Sequence, residues 1–194
     1  MRAIKFNPAP IAGRSFLLTI CLIASSYCLA QAETTIGTSD AERCYNESRL
    51  GAMATDVDAC TKALKDKNLN VHDLAATYSN RGIIYSNIHD YKKSLADHDK
   101  AIELMPELAE AYVNRGNVYY HLQDYQRALA DYNKAIELKA KPPVTSWFNK
   151  ALTLTRMKRF DEARSAFEEA LKLDPDSSVI KQRIAELASP DKTD

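Results

Sequence analysis

At 194 residues, 45% hydrophobic and 27% charged, the chain has the composition of a globular domain with a core, so disorder is excluded as the default state. Its 26 basic groups balance its 26 acidic ones, which leaves no basic field to hold nucleic acid. Five glycines, seven prolines and no apolar run near the roughly 20 residues of a bilayer helix exclude linker tracts and a membrane span in the mature chain.

The N-terminus carries Arg2, Lys5 and Arg14 without an acid, then the apolar run Phe16 to Ala24, then Ala30-Gln31-Ala32. A basic region, an apolar region and an A-x-A site in this order constitute a secretory signal, so residues 1–32 are expected to be cleaved after Ala32. The mature chain then has an excess of three acidic groups. It is expected to be exported: periplasmic if the source is a Gram-negative bacterium, secreted otherwise. Lipid attachment needs a small residue before the cysteine. Ile20 precedes Cys21 and Tyr27 precedes Cys28, which argues against a lipoprotein.

Cleavage leaves two cysteines, Cys44 and Cys60. In an oxidising compartment one pair reads as one disulfide, the alternatives being half of a metal site or two free thiols. With no histidine between them, the pair makes a poor metal site.

An internal repeat dominates the remainder of the chain. The segments from Tyr78 (YSNRGIIYSNIHDYKKSLADHDKAIELMP) and Tyr112 (YVNRGNVYYHLQDYQRALADYNKAIELKA) align without a gap, with a period of 34 residues from Gly82 to Gly116. A third copy starts at Trp147 after one inserted residue. Its columns are bulky aromatic (Tyr78, Tyr112, Trp147), small (Gly82, Gly116, Ala151), small again (Ser94, Ala128, Ala163), aromatic (His98, Tyr132, Phe167) and alanine (Ala101, Ala135, Ala170), closed by Pro106 and Pro175. This pattern resembles the tetratricopeptide repeat (TPR). The resemblance implies an all-α, right-handed superhelical solenoid of antiparallel helix pairs, with repeats at 75–108, 109–143 and 144–176. Asp90 and Asp124 stand where second helices begin, suited to N-capping. Where Arg81 and Arg115 follow the aromatic column, the second helix carries Asp97 or Asp131. Where the cation becomes Lys150, the acid becomes Ala166. Ion pairs between those columns are expected.

Upstream, the stretch around Cys60 matches the stretch around Tyr132, so residues 33–74 form a degenerate first repeat. Cys44 then falls in the glycine column and Cys60 in the aromatic column, two columns that face each other across a hairpin. Downstream, Val179, Ile180, Ile184 and Leu187 make one apolar stripe on a capping helix over 177–188, and 189–194 is an expected disordered tail.

The sequence offers no catalytic residue, cofactor or metal site. His72 is expected in a linker, His89 at a turn and His98 in the core, and none has ligand spacing. There is no nucleophile elbow and no phosphate loop. What the resemblance implies is binding on the concave face, built from each first helix. Ser79, Asn80, Ile83 and Asn87 fall there from one repeat, Val113, Asn114, Asn117, Tyr120 and His121 from the next, and Phe148, Asn149, Leu152 and Arg156 from the last. Asn80, Asn114 and Asn149 share a column and are expected to form an exposed ladder, since an amide can pair with the backbone of any extended peptide. The groove reads as nearly uncharged apart from Glu110 and Arg156, which argues against a carboxylate clamp. The expected role is a scaffold for another protein or an extended peptide, with self-association through the array ends as the alternative.

Overall fold

The computed structural model describes residues 39–188, whose regular secondary structure is all helical. It contains α1 (Asp40–Ser48), a 3-10 turn at Gly51–Met53, α2 (Asp58–Ala63), α3 (Val71–Asn87), α4 (Tyr91–Leu104), α5 (Ala109–His121), α6 (Tyr125–Glu137), α7 (Pro143–Arg156), α8 (Phe160–Leu173) and α9 (Ser178–Ala188). The pairs α3/α4, α5/α6 and α7/α8 fall where the three repeats are expected, α1/α2 is a shorter pair ahead of them where the degenerate repeat is expected, and α9 packs on α8. The expected signal segment (1–32) and the expected C-terminal tail (189–194) lie outside the described residues.

Local chemistry sets the helix ends. The Asp90 and Asp124 carboxylates accept from the Lys93 and Arg127 backbone N–H groups, capping α4 and α6. In the same turns, His89, Gln123 and Lys158 adopt φ near +60° at equivalent positions, and Gly51 occupies that conformation between α1 and α2. The α3 helix starts at Val71, so His72 sits in its first turn and not in a linker. Asn70 is the reason: its side chain accepts from the Asp73 N–H, and its Nδ2 donates to the Asp73 carboxylate at 2.7 Å.

Small residues let the two helices of a pair approach. A Cβ added to Gly82 would lie 2.7 Å from the His98 ring, and one added to Gly116 would lie 2.8 Å from the Tyr132 ring. Ala151 and Phe167, both buried, occupy the same columns in the third pair. In the first pair those columns hold Cys44 and Cys60, which the structure brings together with Cα atoms 4.6 Å apart and the sulfurs in bonding contact. Every one of these partners is sixteen positions from its mate. The cysteines therefore fill the contact that the other repeats make with an aromatic ring.

A second layer is ionic. Arg81 makes a two-pronged bond to Asp97, with Nε at 2.7 Å and Nη2 at 2.9 Å, and Arg115 does the same to Asp131. The expected pairing thus forms within each repeat. Arg115 also reaches Asp99 of the preceding repeat at 2.7 Å, tying α4, α5 and α6 together. Each guanidinium lies between two tyrosine rings, Tyr78 and Tyr85 or Tyr112 and Tyr119. The hydrogen bonds to Asp131, followed by the charge of that carboxylate, outweigh burial and raise the Arg115 pKa further.

Candidate functional site

The concave side is assembled from α3, α5 and α7, and side-by-side packing of these helices decides which residues remain open. Ser79, Asn80, Ile83, Val113 and Asn114 are buried, Ile83 and Asn114 completely. This corrects the expectation of an exposed ladder. Asn114 Nδ2 donates to Ser79 Oγ at 3.4 Å, across the α5–α3 contact, so Asn114 faces the neighbouring helix and not the groove, whereas Asn149 of the same column stays half-buried at the cleft. Asn87 is also committed elsewhere: its Nδ2 donates to the Gly51 carbonyl at 2.6 Å and holds the α1–α2 loop.

One turn further along, the surface opens. Asn117, Tyr120, His121, Tyr132, Asn149 and Leu152 line a cleft of about 260 Å³ between α5 and α7. Asn117 Oδ1 accepts from both the Tyr132 hydroxyl at 2.8 Å and Asn149 Nδ2 at 2.9 Å. Both acceptor lone pairs of that amide oxygen are used, while no hydrogen bond among the described residues engages the Asn117 NH₂ group or the Asn149 side-chain oxygen, a donor group and an acceptor. Burial pushes the Tyr132 phenol above its ordinary pKa, so it stays protonated and remains the donor in this network.

Through Tyr120 and Leu152 the cleft continues into a larger one of about 670 Å³, reaching Arg156, Lys158, Phe160, Arg183 and Leu187. Arg156 Nε donates to the Tyr120 hydroxyl at 3.1 Å, and Arg183 pairs with Glu186 at 2.9 Å. The groove is therefore charged at its C-terminal end, contrary to the expectation of a nearly uncharged surface. Arg156 of α7 is expected there; the added charges, Lys158, Arg183 and Glu186, come from the α7–α8 turn and from α9, elements outside the first-helix columns. Sequence reasoning assigned α9 to capping alone. Its apolar stripe was the available signal that it folds back on α8 and walls the groove. Phe148 sits edge-on to Phe167 at 5.5 Å and packs into the C-terminal core, so it is a support more than a free anchor.

Among the described residues, no group of three or more His, Cys, Asp or Glu could hold a metal ion, and no helix is long and apolar enough to cross a membrane.

The Tetratricopeptide repeat family model matches residues 73–141 and 107–176, together more than half of the chain. No curated protein sequence matches. Among solved structures, the Arabidopsis OM64 TPR domain is similar at a TM-score of 0.58 and 23% identity, over 61% of this chain and 98% of that one. YrrB, a TPR protein with an unusual peptide-binding site, is similar at 0.60 and 23%, over 68% of this chain and 66% of its own. The first TPR of Spaghetti (RPAP3), solved with the HSP90 peptide SRMEEVD, is similar at 0.58 and 17%, over 63% and 96%.

Proposed function

This chain belongs to the tetratricopeptide-repeat family, a family of protein-interaction scaffolds, and on that premise we propose that it is an exported docking scaffold that receives an extended segment of another protein in the cleft between α5, α7 and α9. The observation that carries this reading is the Asn117–Asn149 pair. Its internal bond leaves the Asn117 NH₂ group and the Asn149 side-chain oxygen uncommitted in a cleft they share with Tyr120, His121, Tyr132 and Leu152, and a donor beside an acceptor is the complement of a peptide backbone unit. Tyr120 and Leu152 beside it supply apolar contact for a side chain. The peptide held by Spaghetti (RPAP3) supports this mode of use for the fold. Export rests on the N-terminal sequence together with the Cys44–Cys60 pair, since a disulfide needs an oxidising compartment.

Peptides selected from a displayed library against the wild-type chain test the cleft. Asn149→Ala is expected to weaken their binding by roughly two- to thirteen-fold, the equivalent of about 0.5–1.5 kcal/mol for a neutral hydrogen bond. Leu152→Ala should weaken it at least as much, and Gln126→Ala on the outer surface should leave it unchanged. Selected peptides that bind all three variants equally would refute the cleft as the site. For export, the N-terminus of protein recovered from its native source should be Glu33. An intact leader on functional protein would count against it.

A further inference from the structure

The three second helices α4, α6 and α8 present equivalent positions on the outer face, and the third reverses their charge. The first-turn columns read Lys92, Gln126, Asp161 and Lys93, Arg127, Glu162, and the next basic column reads Lys100, Lys134, Glu169. The last column runs the opposite way: Glu103, Glu137, Lys172. The local ion pairs invert with them. Asp90–Lys93 and Asp124–Arg127 become Arg159–Glu162, and Lys100–Glu103 and Lys134–Glu137 become Lys172–Glu169. The helix dipole accounts for acids in the first turn of α8 but not for Glu169. The inversion also gives up a cap, because the Arg159 side chain bonds Glu162 and accepts no backbone N–H, where the Asp90 and Asp124 carboxylates each accept one. Something other than helix stability therefore favours the reversed face.

A cleft of about 410 Å³ opens on that face, lined by Trp147, Leu154, Ala166 and the Asp161, Glu162 and Glu169 carboxylates. It lies where the other repeats seat the paired guanidinium and aspartate, columns that here hold Lys150 and Ala166. Lys150 rests over the Trp147 ring at 4.9 Å, and two of the three carboxylates hold an i,i+3 cation on α8 itself, Glu162 with Arg159 and Glu169 with Lys172, which a docked lysine would have to share. An apolar floor with an acidic rim fits the stem and ammonium of a lysine.

We propose that the outer face of α8 docks the outer face of α4 of a second copy, head to tail. Laid parallel, Lys92 and Lys93 meet Asp161 and Glu162, Lys100 meets Glu169, and Glu103 meets Lys172, with the lysine stems entering the Trp147 cleft. The α4 face fits better than that of α6 because Gln126 is neutral in the first column. The two faces differ, so the contact is heterologous and can repeat from copy to copy. It lies on the outer surface and stands whether or not the concave cleft binds a peptide.

Light scattering on the purified chain should show mass rising with concentration at low salt, and association weakened by about tenfold or more at high salt, as screening of exposed charges requires. Asp161→Lys with Glu169→Lys should reduce the mass to that of one chain, as should Lys92→Glu with Lys100→Glu. Mixing the two variants should restore association, because each then offers a face complementary to the other. These positions are exposed or half-buried, and circular dichroism on each variant verifies folding. A single-chain mass at every concentration in low salt, association indifferent to both variants, or failure of the mixture to associate would each overturn the proposal.

Discussion

His98 occupies the column that Tyr132 and Phe167 fill in the other repeats, and it is fully buried there. Its Nδ1 lies 3.4 Å from Ser79 Oγ, and its Nε2 has no partner. Burial, with a smaller push from Arg115, lowers its pKa from 6.5 to about 3. Between those values the unfolded chain binds a proton that the folded chain refuses, so stability falls as pH drops through that window, by at most about 1.4 kcal/mol per unit. His98→Phe should remove this contribution. Urea unfolding of the two proteins should agree in slope near pH 7 and diverge toward pH 5, the variant holding its stability better. Parallel pH dependences would contradict this reading. Asn114 carries a second residue-scale consequence: as a buried donor to Ser79, its replacement by alanine should cost about 1 kcal/mol of stability, more than a groove-facing amide would. Phe148→Ala likewise loosens the core against Phe167, so it is a poor probe of binding.

Between elements, covalent and ionic ties differ by repeat. The α1/α2 pair is the smallest, with six residues in α2, and the cysteines join it where larger repeats use a ring. Closing a sixteen-residue separation should contribute about 3 kcal/mol by loop entropy, with native strain subtracting. Unreduced protein from its native source, denatured and treated with a thiol reagent, should label at neither Cys44 nor Cys60. Two labelled thiols would show the bond absent. The ionic ties predict an asymmetry as well. Arg115→Ala strands the buried Asp131 and frees Asp99, and should cost about 3 kcal/mol. Lys150→Ala breaks no ion pair and should cost less than about 1 kcal/mol. Comparable losses from the two would mean that the pairs do not tie the helices.

At the scale of the whole array, each repeat contacts mainly its neighbours, so stability is approximately a sum of repeat and junction contributions. The α5/α6 repeat has a neighbour on both sides and the three-helix tie through Arg115. Its amides should exchange slowest in deuterium oxide, and those of α1, α2 and α9 fastest. Reduction of Cys44–Cys60 should accelerate exchange in α1 and α2 while leaving α5 and α6 protected. A uniform acceleration along the chain would show that the array unfolds as one unit.

The period of 34, the small and aromatic columns and the capping aspartates determined the fold from sequence alone, because a repeat that must bury the same face against its neighbour writes the same constraint each time. Covariation between repeats likewise pointed to pairing of the arginine and aspartate columns, since each repeat served as a control for the others, but only the structure decided that the pairs form within a repeat. Which face of a first helix is open could not be read that way. A column repeats equally whether it meets solvent or the next helix, and Asn80 and Asn114 lie at the helix-to-helix contact while Asn117 and Asn149 line the cleft. Most of the groove's charged end was equally hidden, because Lys158 and Arg183 join the expected Arg156 from a turn and from the terminal helix. Their meeting is set by how α9 folds back on α8, and only the tertiary packing decides that.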